Sequence, residues 1–175
     1  MTPSTPPLQR FTDLSALSEA GTEISIAATA EDLSRLAVWL GVSAVESFTA
    51  TVHLRRLSST RFSYAAAFKA DVVQACVVTL EPVNSHIARE FARELHLAAH
   101  HPAPKAESLT LAAGDQDAPD EIDNARFDVA VPILEELSLA IDPYPRAPGV
   151  AFETPPDSGD RRDSPFAVLG RLKRP

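Results

Sequence analysis

With 175 residues the chain has room for one sizeable hydrophobic core, and a second would leave each half at the marginal end of domain size, so a single domain is expected. Hydrophobic residues at 45% and charged residues at 23% argue against wholesale disorder, while a formal net charge of −8 works against tight, direct binding to nucleic acid. No apolar run approaches the roughly 20 residues that cross a bilayer, no secretory signal opens the chain, and one cysteine excludes an internal disulfide or a CxxC metal knuckle, so a soluble, cytoplasmic protein without a membrane partner is expected.

Met1 to Pro7 has tail composition, and Leu8 to Leu14 suits a short edge strand. Thr22 to Ala28 alternates, with Ile24, Ile26 and Ala28 on one face. Thr29 then precedes Glu31 and Asp32, Leu33, Leu36, Ala37 and Leu40 share a helical face, and Gly41 is a stop, so a helix spans about 30–40. From Ala44 to Leu57 period two returns: Phe48, Ala50, Val52 and Leu54 face one way, Thr49, Thr51, His53 and Arg55 the other. Ser58-Ser59-Thr60 reads as a hairpin turn.

Beyond it Phe62, Tyr64, Ala66, Phe68, Ala70, Val72, Gln74, Cys76, Val78 and Leu80 keep one parity. A strand of that length predicts a bend or bulge near Lys69 to Asp71. Val73, Ala75 and Val77 make the other parity apolar too, so Asp71 to Pro82 reads as the central strand, either covered on both faces or lying in the middle of a curved sheet. Residues 84–98 lean to helix by local propensity, although Ile87, Phe91, Leu95 and Leu97 also share strand parity. The span 100–123 has the composition of a mobile acidic loop. A helix is predicted over 132–140, with Pro132 in its first turn, Ile133, Leu134, Leu137 and Ala140 buried, and the prolines after Ile141 ending it. Residues 151–175 read as a linker and a short terminal helix with Ser164 as N-cap and Pro165 at its first position.

Local chemistry favours bland readings. Cys76 sits in an apolar alternation without a local anion-stabilising element and reads as packing, with a Cys76-dependent enzyme as a remote alternative. Gln74 on the same face calls for structural hydrogen bonds. His96 and His100 have helical spacing but lack the other ligands of a zinc site, and Glu135 and Glu136 point to different helix faces, so neither a metal site nor an acid and base pair is expected. Charge is bipolar. Nine acids and one basic residue lie between Glu107 and Glu136, whereas His53, Arg55, Arg56, Arg61 and Lys69 cluster on two adjacent predicted strands as a candidate RNA-contact face. The acidic segment offers the alternative of a generic interaction module for a basic partner.

Three separated motifs resemble one family. Gln74-Ala75-Cys76-Val77-Val78-Thr79-Leu80-Glu81-Pro82 is similar to the central motif of the alphaproteobacterial branch of the large ribosomal RNA subunit accumulation proteins, the YceD-type family. Phe127-Asp128, with Glu136-Leu137-Ser138-Leu139-Ala140-Ile141-Asp142-Pro143-Tyr144-Pro145-Arg146 and Pro148-Gly149, resembles its second motif, and Ser164-Pro165-Phe166-Ala167-Val168-Leu169 through Leu172-Lys173 its C-terminal signature. The order and spacing agree from about Leu8 to Lys173. Many relatives outside this branch carry a paired CxxC where this chain has Cys76 and Thr79.

The resemblance implies a non-enzymatic factor for accumulation of large-subunit ribosomal RNA, without cofactor, metal or small-molecule substrate. Its partner would be a ribosomal RNA precursor or a ribosomal or assembly protein. Gln74, Cys76, Thr79, Glu81, Glu136, Asp142, Tyr144 and Arg146 are the motif positions to examine, and for 84–98 the resemblance favours an extended strand. The expected fold is α+β: a curved, mainly antiparallel sheet with helices near 30–40 and 132–140 and a short C-terminal helix, in a domain over 8–150.

Overall fold

The computed structural model describes residues 6–98 and 119–151. The fold is α+β, and five strands form one sheet in the order β2 (Thr22–Ala27), β3 (Ala44–Arg56), β4 (Arg61–Ala75), β5 (Pro82–Leu97), β6 (Asp120–Ile122). Neighbours are antiparallel except β5 and β6, which run parallel. A second, two-stranded antiparallel sheet pairs β1 (Phe11–Asp13) with β7 (Arg126–Asp128). Helix α1 (Ala30–Leu40) links β2 to β3, and α2 (Val131–Ala140) follows β7.

Local chemistry accounts for most element ends. Thr29 and Asp32 make a reciprocal capping box at the start of α1, and Gly41 closes it in the left-handed region, at φ 68°. Pro132 occupies the first turn of α2, where its missing N–H costs nothing. The β3–β4 hairpin turns at Ser58 to Thr60, where Leu57 and Ser58 N–H groups both donate to Arg61 O.

The core lies on one face of the sheet. Along β4, Phe62, Tyr64, Ala66, Phe68, Ala70 and Val72 are buried in strict alternation, meeting Phe48, Ala50, Val52 and Leu54 of β3, Leu36 of α1 and Ile133, Leu134 and Leu137 of α2. Burying each large side chain contributes about 1.5–3 kcal/mol. Tyr64 Oη donates to Val129 O at 2.8 Å, so its polar end is satisfied, and burial pushes its hydroxyl pKa well up.

Several expectations are revised. Residues 82–97 are strand throughout, as the family resemblance implied and against helix propensity, because the whole of β5 is laddered to β4 from Arg61↔His96 to Ala75↔Pro82. The sheet is mainly antiparallel, as expected, with β5 and β6 its one parallel pair among the described residues. The bulge forms opposite the expected place: β4 is continuous, and the register shifts on β3 between Val45 and Ser47, across from Val72 and Asp71. The central strand ends at Ala75 rather than running on to Pro82; it lies in the middle of the five-stranded sheet, and among the described residues only one of its faces is covered. Residues 120–122 and 126–128 are strands, so the span assigned to an acidic loop is structured at its C-terminal end; 99–118 and the terminal helix expected after Ser164 lie outside the described residues. Leu8 to Leu14 supplies the three-residue β1, whose partner is β7 and not the main sheet.

Candidate functional site

The first two resemblance motifs are hydrogen-bonded to each other across sequence separations of 68 and 71 residues. After Ala75 the chain turns: Leu80 N–H donates to Cys76 O (2.9 Å) and Cys76 N–H to Glu81 O (2.8 Å), and Leu80 takes the left-handed region at φ 63°. The 142–147 segment lies across this turn. Gln74 Nε2 donates to Asp142 O (2.8 Å), Val77 N–H to Pro145 O (2.9 Å), and Ala147 N–H to Cys76 Sγ (3.4 Å). This clasp is mostly a main-chain structure held by two inward side chains. Gln74 is the only buried polar residue among those described, and its Oε1 has no partner.

Cys76 is fully covered, yet it stands outside the contiguous core cluster, under the thin lid of the turn and the crossing segment. Thr79, through its hydroxyl and its N–H, and the N–H groups of Ala147 and Val78 stand around the sulfur and pull the thiol down to about 6. The expectation of a cysteine without an anion-stabilising element is therefore corrected. Thr79, where relatives carry a second cysteine, serves as a donor to the first. Its Oγ1 also accepts from Glu81 N–H at 3.4 Å.

Outward, the clasp is apolar. Val77, Leu80 and Tyr144 are 46%, 77% and 71% exposed, three of the seven large hydrophobic side chains that stand open to solvent among the described residues. Asp142 Oδ1 accepts from Tyr144 N–H (2.8 Å) and so shapes the turn that presents Tyr144. Glu81 and Arg146 are exposed beside it, Arg146 in no ion pair among the described residues.

Glu136 works elsewhere. Arg93 of β5 donates to Glu136 Oε1 (2.9 Å) and Glu135 Oε2 (3.0 Å) and approaches Asp120 Oδ2 (3.4 Å), with its guanidinium over the Phe91 ring. Burial lowers its pKa, but the hydrogen bonds to Glu136 and Glu135 outweigh that and hold the guanidinium above its ordinary value. Although Glu135 and Glu136 point to different helix faces, one arginine spans both and ties α2 to the sheet. Sequence reasoning missed Arg93, whose one signal was a charge at strand parity with Phe91 and Leu95.

The predicted basic face is only partly basic. His53, Arg55 and Lys69 project from the open side of the sheet together with Arg61, whereas Arg56 shares the parity of buried Leu54 and lies toward Leu17 and Ser18. Arg61 is paired with Glu94 and His53 faces Glu23 at 3.5 Å. Asp71 accepts from Ser47 Oγ and meets His86 Nδ1 at 2.6 Å, contacts that hold its carboxyl below the usual range. Only Arg55 and Lys69 remain unpaired there among the described residues. Lys69 itself, with Thr49, Thr51, Ala67 and Ala88, lines a shallow depression of about 460 Å³.

A family described as large ribosomal RNA subunit accumulation protein YceD matches residues 65–173, well over half of the chain. The chain belongs to this family. No curated protein and no solved structure matches it. The YceD match contains the whole clasp, Arg93 and Lys69, and leaves out His53, Arg55, Arg56 and Arg61. Family membership carries a role in accumulation of large-subunit ribosomal RNA.

Proposed function

We propose that this protein is a non-enzymatic, cytoplasmic factor in large-subunit ribosome assembly that acts by binding a ribosomal or assembly protein, or precursor RNA held with one, through the apolar outer surface of the clasp. The observation that carries this reading is the position of Val77, Leu80 and Tyr144: exposed, mutually tethered through the Val77 to Pro145 hydrogen bond, and inside the family match. Apolar and aromatic groups of this kind are what protein interfaces use as anchors. The acids Glu81 and Asp142 flanking them, and the net charge of −8, favour a basic protein over bare RNA. Gln74, Cys76, Thr79 and Asp142 then act as positioning residues. The Gln-x-Cys-x-x-Thr-x-Glu-Pro pattern supports assignment to the alphaproteobacterial branch, and the 8–150 boundaries support a single domain with short appendages.

The test is complementation of a deletion strain by a chain carrying Leu80→Ser and Tyr144→Ala. Both side chains are exposed, so melting should shift little, while large-subunit ribosomal RNA should fall toward the deletion level and the protein should leave precursor particles on sedimentation. Normal large-subunit RNA in the deletion strain would sink the assembly role. Full complementation by the double variant would instead move the working surface away from the clasp.

A further inference from the structure

Among the described residues the outer edge of β5 is the longest strand edge without a partner. Of its 16 residues only Leu95 to Leu97 pair with β6, which leaves 13, Pro82 to Glu94, without a strand on that side among the described residues. Typical strands run about 5–6 residues, and exposed edges are normally short, bulged or broken by proline. Here the β4–β5 register is uninterrupted over its whole length, and the only proline stands at the first residue.

The charged side chains of β5 do not close this edge. Arg93 is turned onto the core face by Glu135 and Glu136, and Glu94 is held on the opposite face by Arg61. In the middle, Ile87 and Ala88 carry no charge, and His86, Ile87, Ala88, Arg89, Glu90 and Ala140 line a groove of about 450 Å³ between the strand and the end of α2. Leu139, the neighbour of Ala140, is 78% exposed.

We propose that this edge binds an extended segment of a partner protein by strand addition, with an aliphatic side chain of that segment set against Ile87, Ala140 and Leu139. The chemistry of the edge selects the occupant. A row of alternating N–H and C=O groups at strand spacing is satisfied by another polypeptide backbone, whereas phosphates supply acceptors only. A second copy fits the groove poorly. Antiparallel self-pairing over the whole free edge, Pro82 to Glu94, is centred on Ala88 and sets Ile87 opposite Arg89, so no aliphatic side chain would meet Ile87. Arg89 and Glu90, exposed on opposite faces and in no ion pair among the described residues, instead favour an acidic and a basic residue respectively on the incoming strand. This binding mode goes beyond the clasp contact proposed above and does not depend on it.

The test places a photo-crosslinking residue at Ala88, Glu90 and Ala92 in turn, in the full chain in living cells. Strand addition predicts that the attachment point on the partner protein steps by two residues each time the probe does. It also predicts loss of the product in whichever of the Ile87→Pro and Ala88→Pro variants keeps its native melting curve, that being the one whose N–H faces outward. Attachment to RNA, to this chain or to a second copy, attachment without the two-residue step, or no attachment would overturn the proposal. A stepped crosslink to a protein unconnected with ribosomes would leave strand addition standing and overturn the assembly role alone.

Discussion

On the open sheet face the charged side chains answer one another; at the clasp the polar side chains turn inward to hold main chain, and the apolar ones point out. His53, Arg61 and His86 each meet a carboxylate across a strand pair, which is how a solvated face neutralises itself. Gln74 and Cys76 meet backbone from 68 and 71 residues away, and their work leaves Val77, Leu80 and Tyr144 exposed among the described residues. The difference teaches that a cluster of basic residues in sequence is a weak sign of a nucleic-acid surface, while hydrophobic residues that a fold spends hydrogen bonds to keep exposed are a strong sign of a partner.

The sharpest way to break the clasp is Gln74→Ala. It removes the donor to Asp142 O at a buried position, and the expected loss is about 1–3 kcal/mol in urea unfolding. Gln74→Leu should lose less, since the unpartnered Oε1 goes with the amide. Equal stability of Gln74→Ala and the parent would mean that the clasp is not held by this bond.

A smaller, pH-dependent effect is expected at Cys76. The folded thiol ionises near 6 and its ordinary value is 9.0, so the thiolate's contribution is full above the ordinary value and fades as pH falls through the folded one. The stability gap between the parent and Cys76→Ala should therefore widen as pH rises from about 6 to 9. A gap independent of pH over that range would mean that the Thr79, Ala147 and Val78 groups do not hold a thiolate. Complementation by Cys76→Ala at neutral pH checks in addition that no nucleophile is needed.

The smallest effect is expected on the open face. Replacing Arg55 and Lys69 together by Ser should change stability by no more than about 0.5 kcal/mol and leave large-subunit ribosomal RNA intact. A marked drop in that RNA with an unchanged melting curve would restore the basic face as an RNA contact and reverse the comparison.

Much of the fold was legible because local chemistry and tertiary need agree. Thr29, Asp32 and Gly41 fix α1, Pro132 and the prolines after Ile141 bracket α2, and the parity from Phe48 to Leu54 and Phe62 to Val72 marks the buried face. The candidate site was legible as a name tag, through the two motifs, but not as geometry. Parity runs on from Val72 through Val78 whether the chain is a strand or an apolar turn, and nothing in either motif announces that the other will supply its hydrogen-bond partners.

By itself, then, the sequence determined those properties that are settled within a few residues: caps, turns, period-two faces and the family pattern. Tertiary structure alone decided the rest. It made 82–97 a strand, because β4 offers a partner at every position and outweighs a helix propensity of a few tenths of a kcal/mol per residue. It brought the Ala147 N–H to the Cys76 sulfur and the Asp142 carbonyl to Gln74, because those hydrogen bonds join groups 71 and 68 residues apart that come together only when the chain is folded.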